Sequence, residues 1–183
     1  SLMAAARWPE MVRGLILAEP VIMDRWQGWQ LWLAKLLRQS YRFSLAAGAA
    51  RRRREFESYA AALDNFRGRG GFKTWLEAYV QHGLVQSGDR VRLACAPEWE
   101  STTFAHTEHN PWPGIRRLLC PVIVLAGDRA STFSPKARQR LSTMLPMAQV
   151  DALAETTHFL PMEQPGAVRD AVLQAMSPKY NRM

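Results

Sequence analysis

Short runs of unbroken apolar residues mark the chain at RGLILA (13–18) and PVIVLAG (121–127), with a weaker run, AQVDAL, at 148–153. Continuous runs of this length predict strands buried on both faces. RVRLAC (90–95) alternates apolar and polar residues and reads as a further short strand. Elsewhere the bulky apolar residues recur at helical spacing. Trp26, Trp29, Leu33, Leu36 and Leu37 predict a helix over 26–39. Phe56, Tyr59, Ala60 and Leu63 predict one over 49–66, broken by the glycine cluster at 68–71. Phe72, Trp75, Leu76 and Tyr79 predict one over 72–82, with Gly83 as its cap. Further helical stretches cover 2–8 (stopped by Pro9), 97–105, 112–118, 135–144 and 166–176.

Apolar strands that alternate with helices argue for an α/β fold, a parallel sheet flanked by helices on both sides. About a hundred residues separate Glu19 from Pro121, far more than an ordinary crossover needs. The organisation expected is a core from 1–21 and 119–183, interrupted by a helical insertion over 22–118.

Composition narrows this picture. With 183 residues, 48% of them hydrophobic, the chain can bury one sizeable core. No run of about 18 apolar residues exists, so no membrane-spanning helix is expected. The formal charge of +8 could mean an anionic partner. Its densest element, four arginines at 51–54, is followed by Glu55 and Glu57 and reads as a solvated helix face. No zinc spacing or RNA-binding signature accompanies it, and no nucleic-acid partner is expected. Two cysteines, Cys95 and Cys120, read as buried free thiols of a reducing compartment, the cytoplasm. The opening SLMAAARWPEM starts in mid-helix, without an initiator methionine or a capping box. It reads as the start of a fragment, so targeting stays open.

Chemistry in open parallel sheets gathers past the carboxyl ends of the strands. Three polar residues fall there: Glu19 after LILA, Asp128 after IVLAG, and His158 a few residues past QVDAL. A histidine can relay a proton if one ring nitrogen faces a nucleophile and a carboxylate holds the other. Glu19 or Asp128 could supply that carboxylate. The alternative for His158 is a loop histidine bonded to backbone. His106 and His109, with Glu108 between them, have a spacing that could hold a metal on a helix, but Pro111 and Pro113 favour a loop. His82 reads as a helix-terminal residue favoured by the dipole.

At these residues the chain resembles the α/β-hydrolase superfamily. AARWPEMVRGLILAEPV, CPVIVLAGDRAS, VDALAETTHFLPMEQP and the insertion carry the likeness, which spans essentially the whole chain. The pattern H-x-x-x-x-E-x-P, at His158, Glu163 and Pro165, is its most specific part. The resemblance implies His158 as catalytic base and a nucleophile on a G-x-S-x-G elbow. No such elbow occurs in the sequence, so the nucleophile is expected upstream of Ser1, and the fragment alone is expected to be inactive. The family commonly carries its acid three residues after the glycine of PVIVLAG, where this chain has Ala130. Some relatives, certain haloalkane dehalogenases among them, carry it after the preceding strand, the place of Glu19. Glu19 is therefore favoured over Asp128. In capped relatives, aromatic residues such as Trp26, Trp29, Trp32, Phe43, Phe72, Trp75 and Tyr79 line an apolar site.

The expectation is a cofactor-independent serine hydrolase of the esterase type, acting on a small, largely apolar ester or acyl substrate. The alternatives are an epoxide hydrolase or dehalogenase-like enzyme with an aspartate nucleophile, and a hydrolase-like binding protein without turnover.

Overall fold

The computed structural model describes residues 1–42, 44–67, 75–106 and 110–177. In chain order the elements are α1 (Leu2–Arg7), β1 (Leu15–Ala18), α2 (Arg25–Leu36), α3 (Ser44–Ala50), β2 (Glu55–Phe56), α4 (Tyr59–Arg67), α5 (Leu76–Gly83), β3 (Leu84–Ser87) and β4 (Arg90–Leu93). There follow α6 (Pro97–Ala105), α7 (Trp112–Ile115), β5 (Val122–Gly127), α8 (Pro135–Met144), β6 (Gln149–Leu153), α9 (Leu160–Glu163) and α10 (Pro165–Met176). They fall into two compact units, one of Ser1–Arg25 with Asn110–Met183 and one of Trp26–His109.

The first unit is built on a parallel sheet in the order β1-β5-β6. Its register pairs Leu15 with Val122, and Gly127 with Leu153. Every residue of the central strand β5 is buried, which explains its unbroken apolar sequence. Side chains alternate across the sheet. Leu15, Leu17, Val122, Val124 and Ala126 share one core with α1, α7 and α8. Ile16, Ala18, Ile123, Leu125 and Leu153 share the other with α9 and α10. Each fully buried aliphatic side chain contributes about 2 kcal/mol. Helix α8 starts where Ser134 Oγ accepts the Ala137 N–H and Pro135 fills the first helical position.

The second unit holds a small antiparallel sheet in the order β2-β4-β3. Strands β3 and β4 form a hairpin whose turn uses Gly88 at a φ of +61°. Phe56, Ala62, Leu76, Val80, Leu84, Val91 and Leu93 make its core. Phe66 bridges Phe56 and Tyr79 at ring-centroid distances of 5.6 and 5.4 Å.

This unit corrects the expected single helix over 49–66. Helix α3 stops at Ala50, and the arginines at 51–54 form a loop, not a helix face. Arg52 turns back to Glu100 at 2.5 Å and to the Tyr79 hydroxyl at 3.1 Å. Arg53 donates to the Glu55 carbonyl and lies over the Phe56 ring. These contacts, and the pairing of Phe56 with Val91, outweigh the helical period. Cys95 is exposed rather than buried, while Cys120 is buried, as expected. The glycines at 68–71, Phe43, Phe72, Glu108 and His109 lie outside the described residues.

Gly127, the last residue of β5, allows a close approach. A Cβ there would stand 2.7 Å from the Thr156 carbonyl oxygen and 2.8 Å from that of Thr157. Both belong to backbone, which cannot swing aside. Gly127→Ala should destabilise the chain by about 1–3 kcal/mol. Urea unfolding followed by circular dichroism should show this as a lower midpoint at unchanged slope.

Candidate active site

The carboxyl ends of β1, β5 and β6 run into three turns with the same unusual backbone. Glu19, Ala130 and Glu155 all have positive φ, at 49°, 44° and 58°. Non-glycine residues adopt this left-handed conformation at a cost, on the order of 1 kcal/mol each, and persist in it where the surroundings hold them. Here they cluster on the rim where open parallel sheets place their chemistry.

Glu19 is the centre of that rim. Its backbone N–H extends the ladder by donating to the Leu125 carbonyl at 2.8 Å. Its side chain is only 2% exposed. A buried carboxylate needs donors, and four converge on it. The Gly127 N–H donates to Oε1 at 2.5 Å and the Ser131 hydroxyl to the same atom at 2.7 Å. The Thr132 N–H and hydroxyl donate to Oε2 at 2.9 and 3.2 Å. Burial alone would raise the carboxyl pKa, but the bonds from Gly127, Ser131 and Thr132 outweigh it and hold Glu19 below its ordinary value.

His158 meets this carboxylate. Its Nδ1 lies 3.6 Å from Glu19 Oε2 and 3.4 Å from Thr132 Oγ1. The first distance is longer than a hydrogen bond. With Nδ1 turned to Glu19, Nε2 is the ring nitrogen left for a reacting group. The ring is 46% exposed, so it is open to one.

The loop that presents His158 is held from both sides. Glu163 accepts the Thr157 N–H at 2.6 Å and the Thr157 hydroxyl at 2.9 Å. Buried Thr156 donates its hydroxyl to the Leu153 carbonyl at 2.7 Å. Asp128 belongs to this scaffold. It is exposed, and its Oδ1 accepts the Thr156 N–H at 3.2 Å. Arg129, next in sequence, pairs with Glu155 across the rim.

The structure thus brings Glu19 and His158 together and leaves Asp128 on the histidine loop's backbone. Sequence reasoning missed Ser131, Thr132 and Thr157. A signal existed for the first two: a Ser-Thr pair shortly after the glycine that closes a buried strand. His106 bonds its own helix through the Thr102 carbonyl, 2.9 Å from Nδ1, and stacks edge-on with Tyr41. His82 is exposed in the last turn of α5. No group of metal-ligating side chains occurs among the described residues.

Known structures share this architecture. E-2-(acetamidomethylene)succinate hydrolase superposes with a TM-score of 0.77 at 17% identity, over 96% of this chain and 61% of that one. The chain has the α/β-hydrolase fold. A thioesterase domain from the curacin biosynthetic pathway matches at a TM-score of 0.68 and 15% identity, over 94% of this chain and 61% of its own. An esterase from Mycobacterium tuberculosis matches at 0.62 and 15%, over 96% of this chain and 56% of its own. In sequence, the carboxylesterase YbfK of Bacillus subtilis (strain 168) is 27% identical over 63% of this chain, which spans 41% of that protein. No family model matches. The chain spans about two fifths of that carboxylesterase and about three fifths of the first structural neighbours.

The four-donor cradle makes a prediction about pH. A carboxyl whose native pKa is lowered is protonated first in the unfolded chain as pH falls. Glu19 therefore stabilises the fold above the ordinary carboxylate range, and that contribution is lost on acidification. Glu19→Gln should be less stable than the native chain at pH 7 by about 1–3 kcal/mol. Thermal denaturation of the two should converge as pH is lowered towards 3, and a constant gap would contradict the account.

Proposed function

We propose that this chain is part of a serine hydrolase that cleaves ester or similar acyl bonds of a small, largely apolar substrate. The observation that carries the proposal is the approach of His158 Nδ1 to the buried Glu19 carboxylate on the rim of the parallel sheet. In this reading His158 is the general base, and Glu19 fixes its tautomer and stabilises the imidazolium. Glu19 is preferred over Asp128 because its Oε2 lies 3.6 Å from His158 Nδ1, whereas Asp128 Oδ1 accepts the Thr156 N–H. The nucleophile would come from a residue outside these 183, on a strand-to-helix turn that the sequence here does not contain. The names of the relatives, a carboxylesterase, a thioesterase domain, an esterase and a hydrolase, agree with acyl chemistry.

The surroundings of the imidazole support an apolar substrate. Phe159 lies with its ring centroid 5.6 Å from that of His158.

Mechanistically, His158 would take the proton of the attacking hydroxyl through Nε2 and return it to the leaving alcohol. Glu163, through Thr157, sets where the ring sits. In the protein that includes the nucleophile, His158→Ala should lower kcat on a short-chain ester by about three orders of magnitude or more while leaving the fold intact. A fluorophosphonate probe should label that protein and should not label residues 1–183 alone. Near-normal turnover of the His158→Ala protein, or an aspartate ester in place of a labelled serine, would refute the assignment. Glu163→Ala should reduce kcat by roughly a hundredfold through ring misplacement, and Glu163→Gln by much less, since the amide oxygen can still accept the Thr157 N–H.

A further inference from the structure

Helix α2 is turned inside out. Of its residues only Leu31 is buried. Trp26, Trp32 and Leu36 are 63%, 59% and 65% exposed, and Trp29 and Leu37 are also open to solvent. The helical period places these five on one side and Leu31 on the opposite side. Gln27, Gly28, Leu33, Ala34 and Lys35 are half-buried. The rings of Trp26 and Trp29 stack at 5.1 Å. The outer face passes into a shallow groove of about 500 Å³ lined by Trp29, Leu33, Ala34 and Leu37, with Gln39 and Arg42 at its end.

Charge decides what this face suits. Between Asp24 and Glu55 the sequence has eight basic residues and no acidic one. That equals the formal net charge of the whole chain. Arg52 and Arg54 are neutralised by Glu100 and Glu98. Arg38 and Arg42, exposed just past the apolar face, are not near any acidic residue of their own segment. A face of tryptophan and leucine, bordered by arginine, matches the arrangement by which a helix lies in the plane of a lipid surface. There the indole rings sit at the headgroup level, and each nearby basic residue adds attraction to anionic lipid. The helix is about 18 Å long, too short to cross the hydrocarbon.

We propose that the outer face of α2 docks on anionic lipid bilayers, with Trp26, Trp29, Trp32 and Leu36 entering the interface and Arg38 and Arg42 meeting lipid headgroups. This interaction is peripheral and independent of the hydrolase assignment. Any activity test of His158 leaves it untouched.

The test is co-sedimentation of the protein that includes the nucleophile with vesicles of phosphatidylcholine, with and without phosphatidylglycerol, at low and high salt. Partition should be at least about tenfold stronger on the anionic vesicles, and salt should weaken it. The double substitution Trp29→Gln with Trp32→Gln should abolish partition on both vesicle types. Arg38→Glu with Arg42→Glu should abolish only the anionic preference. All these side chains are exposed, and circular dichroism of each variant confirms that the fold is kept. Failure to partition, or partition indifferent to both double substitutions, would overturn the proposal. So would a dimer in sedimentation velocity that Trp29→Gln with Trp32→Gln dissociates, since the face would then belong to a second copy of the chain.

Discussion

The carboxylate of Glu19 is the constraint on which the rim of the sheet depends. It is an acid buried at the end of one strand and answered by donors that all come from the end of the next. Without Gly127, Ser131 and Thr132 it would be an unpaired charge in a dry site, which costs several kcal/mol. With them it is a fixed negative pole. Gly127 serves twice, because the position that donates to Glu19 also lets the histidine loop rest on the strand end. The placement of His158 beside Glu19 follows from this one crowded corner.

The parallel sheet was legible because burial on both faces leaves a plain trace. The runs LILA and PVIVLAG have no polar residue to place on an outer face, and β1 and β5 are where they were expected. The candidate residues were legible through topology, since a polar residue just past such a strand must fall on the rim. What the sequence could not settle was which carboxylate His158 would meet. Glu19 and Asp128 both follow buried strands, and only the backbone separates them. Glu19 leaves β1 through a left-handed turn that keeps its side chain buried under the next loop, whereas Asp128 leaves β5 exposed. The sheet of the second unit was hidden for a different reason. Phe56, Tyr59 and Leu63 are spaced as on a helix, yet Phe56 belongs to a two-residue strand whose partner lies 35 positions on. A pattern read over neighbouring residues does not carry such a pairing.

The resemblance to relatives gains physical content at two positions. Where the family commonly has an aspartate, this chain has Ala130, in the left-handed region. The residues after it, Ser131 and Thr132, are donors, and they serve a carboxylate from the neighbouring strand. In this chain that loop supplies donors to the acid and not an acceptor. At the other end of the motif, Glu163 is explained by Thr157, whose N–H and hydroxyl both end on it.

The pairing of β1 with β5 has a consequence for how the chain reaches its fold. Leu15 meets Val122, so the first strand is made long before its ladder partner exists. While the intervening residues emerge from the ribosome, an apolar strand waits with its main-chain groups unsatisfied on the side that β5 will occupy. The second unit, with contacts closed within its own segment, can condense first and bring its two ends together, shortening the loop that the sheet must close. Pairing β1 with β5 is the longest-range closure among the described strands of this sheet, the kind of contact that slows folding.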